Sequence, residues 1–176
     1  GNPQNYNRGN SSNKILGAQH GVNWIKDGYI GSGNFLLFNN QHDFYGPDNI
    51  NNSSAVLEIT PPLNVDGTYN IEIDEPFGPI SYSWIYQNNF FSNHQSGVFR
   101  LANGNTIITV TEEQFIFEIN QLDEIEIIYN VFFPTPRAIK FGLDYLTYEV
   151  SGDINNDGII NIIDILIVIN MILGIN

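Results

Sequence analysis

Oxygen-bearing side chains recur with a fixed spacing near the C-terminus of this chain. They alternate with other residues, are followed by Gly158 and end at a twelfth-position aspartate: Asp153, Asn155, Asp157, Asn161 and Asp164. Carboxylate and amide oxygens at positions 1, 3 and 5 of a tight loop converge on one point, and position 7, here Ile159, offers its backbone carbonyl. This spacing predicts a calcium (Ca²⁺) loop. The alternative is an Asn- and Asp-rich turn that holds no metal.

An apolar segment follows the loop and predicts a helix over residues 164–173. Its side chains are apolar nearly all round, so we expect the helix to be buried against another surface. The longer apolar run 159–175 is interrupted by Asn161, Asp164 and Asn170, which makes it too short and too polar to cross a bilayer. We therefore expect no membrane span.

The composition limits the partners of the chain. Its 176 residues include only six Lys and Arg and carry a formal charge of −13, so nucleic acid and anionic membrane surfaces are poor partners. Acidity fits a secreted, calcium-using protein, although solubility alone also accounts for it. There is no cysteine, which excludes disulfides and thiolate metal sites. The start GNPQ has neither Met nor an apolar segment, so we expect a removed leader or a piece of a longer chain.

Short apolar runs separated by turn residues fill the chain between residues 21 and 131, without helical periodicity. The predicted fold class is therefore all-β. Two sets of four strands are expected, at 21–25, 34–39, 55–60 and 81–86, and at 97–101, 106–111, 114–120 and 124–130. The sets align element by element; for example, residues 57–59 (LEI) match 117–119 (FEI). Such a repeat predicts two four-stranded antiparallel blades of a β-propeller.

The predicted blades cover residues of about 15–87 and 88–131, and an exit segment covers 132–150. Together they form a domain over 1–150, joined through Ser151 and Gly152 to a calcium-binding half-module over 151–176. Known propellers have about four to eight blades, so two blades cannot close a ring. Either the chain is the C-terminal part of a propeller, which we favour, or two-blade units assemble.

Several segments resemble the bacterial arylsulfotransferases, which are six-bladed propellers of the periplasm or cell surface. The resemblance covers residues 1 to about 150 and is carried by 1–4 (GNPQ), 16–20 (LGAQH), 33–39 (GNFLLFN), 54–59 (SAVLEI), 92–97 (SNHQSG), 100–106 (RLANGNT) and 117–119 (FEI). Residues 152–174 resemble a single dockerin repeat, whose pattern is D-x-N-x-D-G-x-x-N-x-x-D followed by a helix. The resemblance implies a secreted, periplasmic or cell-surface protein.

The arylsulfotransferase resemblance also implies a chemistry. The family moves a sulfuryl group from an aryl sulfate to another phenol through a sulfated histidine. On this basis His20 is the expected sulfuryl acceptor, His94 a donor to the sulfuryl oxygens or the phenol, and Arg100 a neutraliser of sulfate charge. The alternatives are structural: His20 bridges blades by hydrogen bonds, His94 is a satisfied structural histidine, and Arg100 lies on a solvated strand face or pairs with an acid.

Two other functions stay open. The propeller is either this enzyme or a non-catalytic binding or scaffold module, attached through its tail to a cohesin-like protein or to the cell surface. A carbohydrate-active protein is a third possibility, which rests only on the dockerin-like tail. Trp24, Trp84 and Tyr86 are expected to pack between blades, although aromatic walls also suit an aryl substrate.

Overall fold

The computed structural model describes residues 8–42, 53–69, 74–142 and 152–175. Internal contacts divide the chain into two compact units, Gly1–Lys140 and Phe141–Asn176. The predicted end of the first domain at residue 150, and Ser151 of the predicted hinge, lie outside the described residues. No helix in the described part of the chain has the length and apolar character that crossing a membrane requires.

The first unit contains two four-stranded antiparallel sheets, as the sequence predicts. Every predicted strand is present: β1 (Gln19–Trp24), β2 (Phe35–Asn39), β3 (Ala55–Ile59), β4 (Trp84–Tyr86), β5 (Gly97–Arg100), β6 (Thr106–Val110), β7 (Phe115–Ile119) and β8 (Ile125–Asn130). The first sheet has the order β1-β2-β3-β4 and the second β5-β6-β7-β8. Over the described ranges, no further strand joins the sheets into a closed ring.

Alternating side chains of the sheets pack into separate layers. Leu36 and Phe38 of β2 share one buried cluster with Val98 and Ile108 of the second sheet. The intervening Leu37 belongs to a different cluster on the other face of the first sheet. Because successive residues of a strand point to opposite faces, the two sheets stack face to face over a common apolar layer.

The first strands of the two sheets lie side by side. Asn23 of β1 donates its side-chain N–H to the carbonyl of Val98 in β5 at 2.7 Å. Gly21 has a φ of +63°, and a Cβ there would lie 3.0 Å from both the Cα of Gly97 and the carbonyl oxygen of Ser96. Glycine at this position therefore allows the two backbones to approach.

A buried glutamate links the first sheet to the chain that follows it. Glu58 of β3 accepts a hydrogen bond from the side chain of Asn34 at 2.6 Å and pairs with Arg100 of the second sheet at 2.6 Å. Both side chains of this ion pair are at most 10% exposed. The pair therefore joins the sheets at a point from which water is largely excluded.

The second sheet repeats this arrangement. Glu118 of β7 accepts from Asn105 at 2.7 Å and from Lys140 of the exit segment at 2.5 Å. Burial raises the pKa of Glu118, but the hydrogen bonds from Lys140 and Asn105 outweigh it and hold the pKa below the ordinary value of 4.5. The predicted match between residues 57–59 and 117–119 thus places equivalent acids in equivalent surroundings.

Residues 135–140 of the exit segment lie against the second sheet much as residues 95–100 lie against the first. Thr111 donates to the carbonyl of Thr135 at 3.1 Å, as Asn40 donates to that of Gln95 at 3.1 Å. A Cβ on Gly97 would lie 3.1 Å from the side chain of Arg137, as one on Gly21 meets Gly97. The exit segment therefore packs on the second sheet in the way that β5, the first strand of the second sheet, packs on the first sheet.

The second unit contains the helix α1 (Ile162–Leu173), which begins two residues before the predicted start at Asp164. Asn161 caps it by accepting from the N–H of Ile163 at 2.7 Å. Asp164 is the only buried residue of the helix, and nine of its ten large apolar side chains are between 38% and 77% exposed. The structure therefore does not supply the burial that this apolar sequence leads us to expect.

Candidate functional sites

The first position of the predicted calcium loop turns its carboxylate into the loop. Oδ1 of Asp153 accepts from the backbone N–H of Asp157 at 3.1 Å, and Oδ2 accepts from that of Gly158 at 2.7 Å. Gly158 has a φ of +84°, a left-handed conformation that glycine adopts without steric cost. The turn therefore folds back over the carboxylate of Asp153, as the spacing predicts for position 6.

The third and fifth positions bend over the loop in the same way. Oδ1 of Asn155 accepts from the N–H of Asp157 at 3.1 Å, and Oδ1 of Asp157 accepts from the N–H of Ile159 at 2.9 Å. The amide of Asn155 also donates to Oδ2 of Asp157 at 2.7 Å. Short polar side chains thus fix their own orientations through the backbone two residues on.

The twelfth position ties the loop to the helix. Oδ1 of Asp164 accepts from the N–H groups of Ile154 at 2.8 Å and Asn155 at 3.4 Å, and Oδ2 accepts from that of Asn161 at 2.8 Å. With the Asn161 cap, this forms a capping box. The bond from Asn161, followed by those from Ile154 and Asn155, outweighs burial and lowers the pKa of Asp164 below 3.8. The aspartate is therefore a carboxylate at neutral pH.

The donor chemistry of the loop fits a hard cation. A carboxylate has about four lone-pair sites, so Asp153 and Asp157 retain free ones beside their backbone partners. Oδ1 of Asp164 already accepts two N–H groups, so this residue offers a cation one oxygen, Oδ2. The described residues hold no group of three or more His, Cys, Asp or Glu side chains arranged for a metal. The remaining donors would be the amide oxygens of Asn155 and Asn161 and the Ile159 carbonyl.

His20 lies at the start of β1 with its ring exposed. Its Nδ1 is 3.0 Å from the carbonyl oxygen of Ala18 and 2.8 Å from Oδ1 of Asn40. Asn40 is fully buried, and its amide nitrogen donates to the carbonyls of Ser92 at 2.8 Å and Gln95 at 3.1 Å. The orientation of this amide is therefore set by the chain that leads into the second sheet.

His94 belongs to that same stretch of chain, but its ring has a different partner. Nδ1 of His94 is 3.2 Å from Oε1 of Glu112, and both side chains are more than a third exposed. Ser92 and Gln95, on either side of it, bind Asn40, the partner of His20. The structure thus brings the backbone near His94 close to the His20 site, while the two imidazoles have separate partners.

Arg100 is occupied by an acid, one of the alternatives that the sequence leaves open. Its guanidinium pairs with Glu58, donates to Oγ1 of Thr106 at 2.8 Å and lies 5.2 Å from the ring centre of Trp84. The side chain is 8% exposed, and its Nε has no hydrogen-bond partner. In this position Arg100 joins the sheets, and no bond links it to either histidine within the described residues.

Sequence reasoning identified neither Asn40 nor Glu58 as a site residue. Glu58 has a signal that could reveal it, because an acid at the centre of an apolar strand recurs at Glu118 in the second repeat. Asn40 ends a run of two asparagines after β2 and has no equivalent signal, since its partners are 20 and 52 residues away.

The aromatic side chains differ in their surroundings. Tyr86 is 5% exposed and packs on Phe117 of the second sheet, and Trp84 packs against the same cluster. Trp24 is 63% exposed and meets only Phe35 edge-on among the described rings, at 5.5 Å. Trp84 and Tyr86 therefore pack between the sheets, whereas Trp24 is accessible to solvent.

No protein-family model, no curated protein and no solved structure matches this chain.

Proposed function

We propose that the first unit is part of a secreted β-propeller that transfers sulfuryl groups between phenols through His20 in the complete ring, and that the second unit binds Ca²⁺. The observation that carries the catalytic part is the geometry of His20. Its ring is exposed beside the junction of the two sheets, and its Nδ1 is held by two oxygens. Its Nε2 has no hydrogen-bond partner among the described residues.

The propeller architecture is supported by the repeated stacking. Each sheet presents a buried glutamate to a cation from the next part of the chain, first Arg100 and then Lys140. The first strands β1 and β5 lie together, and residues 135–140 continue the series on the second sheet. Radial arrays of four-stranded sheets with adjacent inner strands are the arrangement of propeller blades. Further blades would then surround the end of the molecule that carries His20.

The proposed reaction has two balanced steps. The lone pair of Nε2 of His20 attacks the sulfur of an aryl sulfate, the S–O bond to the aryl oxygen breaks, and the phenolate leaves with the bonding electrons. The oxygen of a second phenol then attacks sulfur, the N–S bond breaks, its electrons return to Nε2, and the phenolic proton passes to solvent. Donors for the charged sulfuryl oxygens would come from blades outside this chain, because Arg100 is bound to Glu58.

Incubation of the full-length protein, with the complete ring, with 4-nitrophenyl sulfate and a phenol tests this proposal. We expect release of 4-nitrophenolate and a gain of one sulfuryl group on His20, seen by mass spectrometry after quenching. His20→Ala should lower the release at least about a thousandfold, because the nucleophile is removed. His42→Ala is the matched control and should leave release unchanged. An absence of release and of sulfated His20 would contradict the enzyme.

The scaffold alternative is favoured by a specific observation. Two of the three candidate side chains already have acid partners, since Arg100 pairs with Glu58 and His94 with Glu112. In this alternative the exposed apolar surface of α1 docks the chain on a cohesin-like or cell-surface protein. A protein without transferase activity that still binds calcium through its tail would support this function.

The calcium proposal rests on the loop geometry. Backbone N–H groups fix the side chains of Asp153, Asn155 and Asp157 around one turn. Asp164, in the first turn of α1, is ionised. When bound, the ion would supply the positive charge that these oxygens surround and would order the loop. The donor set fits a calcium ion better than a transition metal, because it offers oxygen ligands alone.

Calorimetric titration of the whole chain with Ca²⁺ tests it. Binding is expected within the range of natural loops of this kind, whose weakest members have a Kd of about 1 mM. Asp157→Ala should weaken binding at least about tenfold, the size of effect that even outer-shell partners have. Asp66→Ala removes a comparable turn aspartate outside the loop and is the control. Equal binding by both variants would place the ion elsewhere.

A further inference from the structure

We infer that Asn40 is a positioning residue that holds the imidazole of His20 in the tautomer protonated at Nδ1, so that the lone pair of Nε2 faces outward. This inference rests on the proposed function for its purpose, and on the hydrogen bonds of His20 and Asn40 for its geometry. It assigns the orientation of the nucleophile to a residue of another strand, 20 residues away.

The partners of Nδ1 decide the tautomer. The carbonyl oxygen of Ala18 can only accept, so Nδ1 must carry the proton to bond it at 3.0 Å. Oδ1 of Asn40, at 2.8 Å, makes the same demand. The amide of Asn40 cannot be flipped without loss, because its nitrogen already donates to the carbonyls of Ser92 and Gln95. In a neutral imidazole with Nδ1–H, Nε2 carries the lone pair that attacks an electrophile.

Gly21, the residue after His20, offers no orienting side chain. Gly21 has a φ of +63°, and a Cβ there would lie 3.0 Å from the Cα of Gly97 and the carbonyl oxygen of Ser96. Both are backbone atoms, so no carboxylate or amide fits at this position. The orienting group must therefore come from elsewhere, and Asn40 at the end of β2 is the side chain that reaches Nδ1.

The backbone around this contact adopts unusual conformations. Ala18, whose carbonyl is the second partner of Nδ1, has a φ of +49°, and Gln95 and Ser96 have φ values of +54° and +74°. Left-handed conformations are strained for a non-glycine residue and cluster at functional sites. Here Ala18 and Gln95 present their carbonyls to His20 and Asn40 respectively.

Nitrogen-15 NMR of labelled protein tests the inference without any need for activity. The spectra are recorded in mildly alkaline solution, where imidazole groups are generally neutral. We expect Nδ1 of His20 to resonate as a protonated nitrogen and its Nε2 as a non-protonated one. Unconstrained histidine side chains favour the opposite tautomer. A wild-type His20 protonated at Nε2 overturns the inference outright.

Variants then separate the role of Asn40 at His20 from its general role in holding the sheets together. Asn40→Ala should lower the ratio of the Nδ1–H to the Nε2–H tautomer about fivefold, because Ala18 alone remains as a partner. Asn40→Asp keeps an acceptor and should retain the Nδ1–H tautomer even if the sheets are less stable. Asn23→Ala also removes a hydrogen bond that a side-chain amide makes between the sheets, but it does not remove a partner of His20. It should therefore retain the wild-type ratio of tautomers.

The two proposals can fail separately. An Nδ1–H tautomer together with no sulfuryl transfer leaves the positioning by Asn40 standing and removes the enzyme. Sulfation of His20 with unchanged tautomers in Asn40→Ala removes the positioning and leaves the enzyme. If Asn40→Ala does not fold, a wild-type His20 protonated at Nε2, or loss of the Nδ1–H tautomer in Asn40→Asp, still overturns the inference.

Discussion

At the residue scale, the Arg100–Glu58 pair is a buried ion pair between the two sheets. Both side chains are at most 10% exposed, and each also has a neutral partner, Thr106 or Asn34. A buried pair of this kind costs desolvation to form, but removal of one member leaves the other charge uncompensated. The stability of the stacked sheets should therefore depend on both residues together.

We predict that Arg100→Met lowers the free energy of unfolding of the first unit by about 3–5 kcal/mol, because Glu58 is left buried without its cation. The double variant Arg100→Met/Glu58→Gln should recover part of this loss. Lys26→Met, at an exposed lysine, should change stability by about 0.5 kcal/mol or less. Denaturant unfolding followed by tryptophan fluorescence measures all three, since Trp84 lies beneath Arg100. Equal losses in Arg100→Met and Lys26→Met would refute the pairing.

Residue spacing predicted the turn geometry around Asp153 and Asp157 better than it predicted the surroundings of His20. The loop residues lie within twelve positions, so local turns alone orient Asp153 and Asp157. Arg100 and Glu58 are 42 residues apart, and Asn40 and Ser92 are 52 apart. Such contacts are created by the stacking of sheets, which residue spacing in one sequence does not encode.

At the element scale, the exit segment is held on the second sheet by a few polar contacts. Lys140 pairs with Glu118, and the N–H of Ala138 donates to Oγ1 of Thr109 at 3.0 Å. The hydrogen bond that Lys140 donates to Glu118 raises the pKa of Lys140 above 10.5, while the pKa of Glu118 is lowered below 4.5. Both charges are therefore present across a wide range of pH.

We predict that the attachment of the exit segment weakens in acid. A carboxylate whose pKa is lower in the folded state stabilises the fold above its unfolded value, and this stability is lost as pH falls through the folded value. For Glu118 that loss begins below about 4.5. Amide exchange or the chemical shift of Ala138 measures it. Lys140→Met should exchange faster at neutral pH and lose much of the pH dependence, whereas an unchanged profile would contradict the role of this pair.

The strands themselves were predicted well, because each is a short apolar or β-branched run bounded by turn residues. β4, predicted over 81–86, is only Trp84–Tyr86, since the segment before it adopts bends. The all-round apolar pattern of α1 predicted a helix but not its exposure. That pattern states only what the helix needs to bury, and the partner has to come from outside the helix.

At the scale of the whole molecule, equivalent residues of the repeat differ in burial. Tyr86 in β4 is 5% exposed under the second sheet, whereas its counterpart Tyr129 in β8 is 44% exposed. All six residues of β8 are exposed, and Phe132 beyond it is 93% exposed. Within the described residues, β8 is therefore not packed against another sheet, whereas the equivalent strand β4 is packed under the second sheet.

We predict that Tyr86→Ala costs about 3–5 kcal/mol of stability, because it removes a buried aromatic side chain. Tyr129→Ala in the same chain should cost about 1 kcal/mol or less. Denaturant unfolding gives both values. In a protein in which a further sheet packs on β8, the two costs should become similar. A large cost for Tyr129→Ala in this chain would mean that its face is already covered.

The Glu58–Arg100 and Glu118–Lys140 contacts give the stacked sheets a direction, because each glutamate pairs with a cation from the next part of the chain. The second sheet supplies Arg100 to Glu58 of the first sheet and receives Lys140 at its own Glu118, so a sheet added in the reverse order would leave such a glutamate without its cation. Duplication of the gene segment that encodes such a sheet would therefore lengthen the protein by one sheet at a time. Each added sheet would fit in one orientation only.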